Sequence, residues 1–378
     1  MDTASTAKSP ARARQAGEAF HIPSLDGIRA LSFFVVFLGH AGLGKFVPGY
    51  FGLSLFFFLS GYLITTLLRI EYEGTGTVSL RQFYLRRVLR IFPPFYLVLL
   101  VAIALTALGL TGGTLWASAC TWQLLHLTNY WIVRHGWWWG MAPGTWVYWS
   151  LAVEEHFYVF FPLIYRAMCR RNWTRERQSA VLLAGCALVL AWRYVLIYLL
   201  HADHDRCYVA SDTRVDSIVA GCILAIWRNP VLDRDAIDDK KLLFAWLPLG
   251  VALVLVSLAV REPRFDQTLR YSLQSFGLLP CFVVAIRYSE HWPFRWLNSR
   301  LARYLGGLSY SMYLMHTSLL WCLERWTRWP TAVRSTAAVA ILVALGTLIF
   351  RYIEKPCARL RRRLSTYLTP AAREAAPS

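Results

Sequence analysis

Apolar runs of about twenty residues recur along this chain, separated by short connections where polar and basic residues collect. A helix of about 20 apolar residues crosses the hydrocarbon core of a bilayer. Ten stretches qualify, at roughly 27–45, 50–70, 88–110, 146–167, 179–200, 212–228, 242–260, 269–287, 302–324 and 333–353. The pattern predicts an all-α polytopic membrane protein of about ten transmembrane helices. Spans one and six are short and interrupted by polar residues, so hydropathy alone supports them least.

The basic residues orient the bundle. With the N-terminus inside, the cytoplasmic connections are 71–87, 168–178, 229–241, 288–301 and the C-terminal tail. These carry Arg81, Arg86 and Arg87; Arg170, Arg171, Arg175 and Arg177; Arg234, Lys240 and Lys241; Arg295 and Arg300; and "RLRRR" at 359–363. The opposite connections hold Lys45, an aromatic stretch with Arg134, and acid-balanced segments such as "HADHDR" and "REPRFDQ". Positive charge inside places both termini in the cytoplasm. The chain then divides into a disordered tail over 1–20, a transmembrane domain over 21–355 and a basic tail over 356–378. The first twenty residues lack the apolar core and cleavage site of a signal peptide.

Composition agrees. Of 378 residues 56% are hydrophobic and 16% charged, against about 25% charged in soluble domains, and the mean hydropathy is +0.39. The formal charge of +18 sits in loop clusters rather than on one surface, which argues for topology control and against a nucleic-acid partner. Eight cysteines are scattered without CxxC or CxxH spacing, so neither a zinc site nor a disulfide framework is signalled.

Polar residues inside the apolar spans carry the functional signal. His40 lies about 12 residues into span one, roughly 18 Å from the cytoplasmic face. In "WSLAVEEHFY", Glu154 and Glu155 stand about 8 residues into span four, roughly 12 Å below the outer face. "LGGLSYSMYLMH" sets His316 at a similar depth, and "SDTRVDS" places Arg214 and Asp216 inside the outer boundary of span six. One plane in the outer half of the bilayer would gather these groups, since membrane-buried ionisable residues turn inward and pair. A histidine beside a carboxylate makes a general base. Consecutive glutamates point about 100° apart on a helix, and Glu154 is the one favoured for the site, with Ser150 one turn before it. Asp26 and Arg29 read as a paired helix start at the cytoplasmic boundary.

"FYLRRVLRIFPP" holds Arg86, Arg87 and Arg90 where span three begins. Arg87 and Arg90 share a face at i, i+3, and guanidinium groups suit phosphate. Pro93-Pro94 predicts a kink or break beside them. In "FFFLSGYL", Ser60 and Gly61 are small enough for close approach to the helix backbone, and Ser60 and Tyr62 join the arginines as candidates for holding a donor molecule. The aromatic connection 111–145, with "TLWASACTWQLLHLTNYWIV" and "HGWWWG", predicts an interfacial anchor or a platform for a sugar.

Together "LDGIRALSFFVVFLGH", "FFFLSGYLI", "FYLRRVLRIFPPFYL", "WSLAVEEHFYVFFPL", "RVDSIVAGCILA" and "LGGLSYSMYLMH" resemble the membrane acyltransferase-3 family over about 22–355. That family comprises bacterial integral-membrane acyltransferases acting on O-antigens, exopolysaccharides, nodulation factors and macrolides. The resemblance implies a bacterial inner-membrane enzyme, with acyl-CoA, most commonly acetyl-CoA, as co-substrate and no metal. Its essential histidine matches His40, its donor-linked RxxR matches Arg87 and Arg90, and its fourth-span Glu matches the Glu154-Glu155 pair. Its SYxxYLxH element matches Ser309, Tyr310, Tyr313 and His316. The fourth-span motif departs from the usual "VEEQFY" in having His156. Many relatives carry an SGNH-type esterase domain after the tenth span. This chain ends about 25 residues beyond it, and the expectation is transfer without such a domain in cis.

The expected activity is acyl transfer from cytoplasmic acyl-CoA to a hydroxyl of a cell-envelope carbohydrate. His40, oriented by Glu154 or Glu155, would be the base, and Arg214, Tyr310 or His316 would stabilise the oxyanion. A covalent acyl step on His40 or Ser60 is a variant of this scheme. The competing readings are a small secreted acceptor, such as a macrolide sugar, and a proton-coupled transporter or flippase. The matching interrupted helices of transporters are not evident.

Overall fold

The computed structural model describes residues 22–367; the expected tail over 1–20 and the end of the basic tail lie outside them. Among the described residues the chain is all-helical, without strands. The main helices are α1 (Pro23–Leu38), α2 (Gly49–Thr75), α3 (Leu80–Ala107), α4 (Ala117–Leu124), α5 (Thr128–His135), α6 (Trp149–Arg170) and α7 (Arg175–Tyr194). They continue with α8 (Ser211–Trp227), α9 (Asp239–Ala259), α10 (Leu269–Arg287), α11 (Arg300–Trp326), α12 (Thr331–Ile349) and α13 (Lys355–Tyr367).

Seven of these are long and apolar enough to cross a membrane: α1 with the turn after it, α2, α3, α7, α9, α10, and α12 continued into α13. They coincide with seven of the ten expected spans, including the doubtful first. The other three, α6, α8 and α11, are formed as helices where expected. These three carry Glu154 and Glu155, Arg214 and Asp216, and His316. Of these, α8 is only 17 residues long, and α6 carries its two glutamates and a histidine within the apolar stretch. The expected basic tail is helical as far as Tyr367.

α2 is the central helix, 72% buried over its most apolar window, whereas α9 is 22% buried and the α12–α13 span 17%. Lipid-like apolar surface on the peripheral helices needs no partner in a bilayer. α2 packs against α8, and α1 against α11. Glycine permits the first contact: a Cβ at Gly61 would lie 1.8 Å from the carbonyl oxygen of Ile218, and one at Gly221 2.0 Å from that of Phe58. The close approach expected at Ser60-Gly61 is therefore made by the backbone of α8. Small residues let membrane helices gain dispersion contacts where the hydrophobic effect offers little. Gly61→Val is expected to lower stability by at least about 3 kcal/mol, whereas Gly185→Ala, where a Cβ meets open space, should leave it unchanged. Thermal unfolding of the detergent-solubilised protein checks the pair.

Buried ion pairs pin the remaining helices. Arg193 on α7 bonds both carboxylate oxygens of Asp216 on α8 at 2.7 and 3.3 Å, and Ser272 on α10 donates to Asp216 at 2.9 Å. Arg69 grips Asp233 through two 2.6 Å bonds, tying the connection after α8 to the end of α2. α3 runs through Pro93-Pro94 without a break. In this stretch, which lacks two backbone donors, the Tyr310 hydroxyl donates to the carbonyl of Ile91 at 3.1 Å.

Candidate active site

The helical path of α1 ends at Leu38, and a wide π turn, Gly39–Leu43, carries His40. Gly42 closes the turn at φ +92°, a conformation that disfavours side chains with a Cβ. Single π turns displace side chains from the regular helical face and recur at functional sites. Here the turn leaves His40 open to a cavity of about 270 Å³, lined also by Tyr50, Trp137, Trp146, Trp149, Tyr208 and Tyr313.

The bonds around His40 determine its tautomer. His316, fully buried, places Nδ1 2.7 Å from the carbonyl of Tyr313. A carbonyl only accepts, so His316 Nδ1 carries the hydrogen and its Nε2 is a lone pair. That Nε2 stands 3.3 Å from His40 Nδ1, which is also 3.0 Å from the carbonyl of Val36. With two acceptors facing it, His40 Nδ1 must be the donor. His40 Nε2 is then an unprotonated lone pair, the form of a general base or nucleophile.

A second cavity, about 140 Å³, is lined by Arg29, Arg87, Arg90, Glu154, Glu155 and Tyr310, together with Ser60, Tyr158 and Glu354. Tyr158 donates to Glu154 at 2.6 Å, and Ser60 and the Tyr158 hydroxyl are hydrogen-bonded. Glu155 makes no hydrogen bond among the described residues and stands at the cavity lining. Arg29 is paired with Asp26 at 2.9 Å. Arg87 lies over the rings of Tyr158 and Phe83, 5.4 and 5.6 Å from their centres. The two cavities share Leu53 and Tyr313 as lining residues. The Tyr313 hydroxyl is bonded to Ser150 at 2.6 Å, so this wall is held in place from α6.

His40 and the glutamates expected beside it are divided between two cavities. The partner of His40 is His316, and the glutamates lie in the cavity of Arg87 and Arg90. The connection 111–145 is partly buried in the bundle. Thr128, Asn129, Trp131 and Ile132 of α5 are buried, as are Tyr148 and Trp149, and Thr317 donates to the carbonyl of Gly144 at 2.5 Å. α6 thus begins among buried residues. Trp138 and Trp139 from the same connection are exposed, whereas Trp137 and Trp146 line the histidine cavity.

Several candidates occupy other surroundings. Arg214 is fully buried behind the histidine cavity, 3.5 Å from the ring centre of Tyr271 and 5.5 Å from that of Tyr208. None of its three nitrogens has a hydrogen-bond acceptor. Asp216 is committed to Arg193. Arg86 donates to Glu71 at 2.8 Å, outside the residues lining the arginine cavity. Tyr62 is buried in the α2–α8 contact, donating to Asn229 at 3.0 Å. His156 bonds Ser211 at 2.7 Å and is stacked on Tyr130.

Sequence reasoning passed over Arg29, Tyr158 and Glu354 as site residues. Arg29 was partly legible: an unbroken helix would put it three turns before His40 on one face, although the π turn carries His40 off that face. Tyr158 carries a weaker signal, one turn after Glu154 on the same face. Glu354 had none, because its place at the cavity depends on how α12 packs.

The family model described as an acyltransferase domain matches residues 22–353. The peptidoglycan O-acetyltransferase OatA of Listeria monocytogenes is 26% identical over 358 residues, covering 89% of this chain and 56% of its own. The O-acetyltransferase OatA of Staphylococcus aureus strain NCTC 8325 is 27% identical over 311 residues, 79% of this chain and 51% of its own. The chain therefore spans little more than half the length of these relatives. No solved structure matches it significantly.

Proposed function

Because this chain belongs to the acyltransferase-3 family, a family of multi-pass membrane proteins, we propose that it moves an acetyl group from cytoplasmic acetyl-CoA to a hydroxyl of a cell-envelope carbohydrate. In this reading ten helices span the bacterial cytoplasmic membrane, α6, α8 and α11 among them, with both termini in the cytoplasm. The observation that carries the reading is the pair of cavities meeting at Leu53 and Tyr313. One is rich in arginine and the other presents the free lone pair of His40.

The donor enters the arginine cavity from the cytoplasm, its phosphates directed to Arg87 and Arg90, which offer paired planar donors. Glu154, held by Tyr158, and Glu155 are acceptors for the amide N–H groups of the pantetheine arm. The thioester reaches the wall formed by Tyr313. The acceptor enters the histidine cavity, where Trp137, Trp146 and Trp149 provide flat apolar faces of the kind that sugar rings stack on. His40 Nε2 takes the proton of the acceptor hydroxyl as its oxygen attacks the thioester carbon. The tetrahedral intermediate collapses with cleavage of the C–S bond, and the imidazolium returns the proton to the departing thiolate. The products are the ester and free CoA thiol, with no net proton change. His316 positions the base, a role that replaces oxyanion stabilisation in this scheme. Arg214, sealed behind Tyr208, sustains the electrostatic field of the outer cavity.

A peptidoglycan fragment is the first acceptor to test, because the Listeria relative is a peptidoglycan O-acetyltransferase. The protein in nanodiscs, given acetyl-CoA labelled in the acetyl group, is expected to label such a fragment in an alkali-labile ester and to release CoA thiol in equal amount. Movement of acceptor or acetyl-CoA without a new ester would instead indicate a transporter. Labelling of small secreted glycosides alone would move the acceptor class.

A further inference from the structure

α13 continues from α12 and packs against α3, the helix of Arg87 and Arg90. Its burial pattern is periodic. Glu354, Cys357, Ala358, Arg361 and Leu364 are half-buried, whereas Arg359, Leu360, Arg362 and Arg363 are exposed. Positions at i, i+3, i+4 and i+7 form one face of a helix, so Arg361 stands on the face turned towards α3. That face begins at Glu354, which lines the arginine cavity and is held there by a 2.5 Å bond from Ser311. Arg361 is two helical turns farther on, about 10 Å from Glu354 along the axis.

An amphipathic helix ordinarily gives its inward face to apolar side chains. Here that face carries a cation within electrostatic reach of Arg90 and Arg86. Arg86 has its acid in Glu71. Arg87, Arg90 and Arg361 have no ion pair among the described residues. Like charges held together on two packed helices repel, and the arrangement is favourable once an anion with several phosphate oxygens lies between them.

We infer that Arg361 on α13 is a third arm of a phosphate-binding cleft with Arg87 and Arg90, taking the nucleotide phosphates of the acyl donor at the mouth of the cavity. The inference rests on the acyl-CoA reading of the arginine cavity. The exposed Arg359 and Arg363 lie on the opposite face, where lipid headgroups are the available anions.

The test compares two donors, acetyl-CoA and acetyl-pantetheine, which has the same thioester arm without phosphates. Arg361→Ala in nanodiscs of neutral lipid is expected to raise KM for acetyl-CoA about tenfold, with kcat and the KM of the acceptor little changed. The KM for acetyl-pantetheine should be the same in variant and wild type, and Arg363→Ala should be silent with both donors. An unchanged KM for acetyl-CoA in Arg361→Ala, or an equal rise with both donors, overturns the inference. An effect seen only in vesicles of anionic lipid assigns the phosphate to a headgroup and overturns it too. Failure of the underlying reading looks different: the wild-type protein would then use acetyl-CoA no better than the phosphate-free donor.

Discussion

His40→Ala is expected to lower the rate of acetyl transfer by about 10²–10⁴-fold, the usual contribution of a positioned general base. The side chain sits in the π turn after α1 and is open to the cavity, so its removal leaves no buried partner uncompensated except His316 Nε2. Membrane levels and the unfolding temperature should therefore stay close to wild type, and initial rates at matched protein give the answer. A variant that retains full activity would sink the mechanism. A loss beyond this range, with no detectable turnover, would favour the covalent variant in which the imidazole itself carries the acyl group.

The second large effect is expected one residue behind the base. In His316→Phe the ring volume is kept, but the lone pair that receives the His40 Nδ1 hydrogen at 3.3 Å is lost. The imidazole of His40 then keeps only the Val36 carbonyl, at 3.0 Å, as acceptor for its Nδ1 hydrogen, so the tautomer with a free Nε2 is held by one bond instead of two. Losing the whole partner of a catalytic histidine costs up to about 10⁴-fold in the best-studied hydrolytic triads; with the Val36 carbonyl still in place, a smaller fall of about 10-fold in kcat is expected here. KM for both substrates should be unchanged. His316→Gln, whose side-chain oxygen reaches the same region as Nε2, should recover part of the rate. Equal losses in the phenylalanine and glutamine variants would mean that His316 serves packing alone.

How much of this was legible in the sequence varies from helix to helix. Each of the ten apolar stretches is helical and seven are long and apolar enough to cross a membrane; that much is legible because the bilayer constraint is local, every backbone group being bonded within its own segment. His40, His316 and the Arg87-Arg90 pair were found for a related reason, since polar groups stand out against apolar neighbours. Arg86 and Tyr62 were not separable from their neighbours by type. Only packing shows that Arg86 turns to Glu71 and Tyr62 to Asn229. The glutamates line a different cavity from His40, which counting along single helices does not reveal. α6 starts beside a partly buried connection whose aromatic residues read equally well as an interfacial anchor.

The sequence by itself determined that this is a helical membrane protein, which segments form its helices, and the family to which it belongs. It also determined the chemical kinds of side chain available, histidine, carboxylate and arginine, because type and spacing are local properties. Only the tertiary structure decided which of these meet. The meeting of His40 with His316 joins residues 276 positions apart, and the cavity wall at Tyr313 is held by a bond spanning 163 positions. Contacts of that range follow from how helices cross, which depends on glycine-sized gaps such as Gly61 and Gly221 and on where a connection dips inward. A tautomer, and with it the identity of the reacting nitrogen, is set by such contacts and not by the helix that carries the histidine.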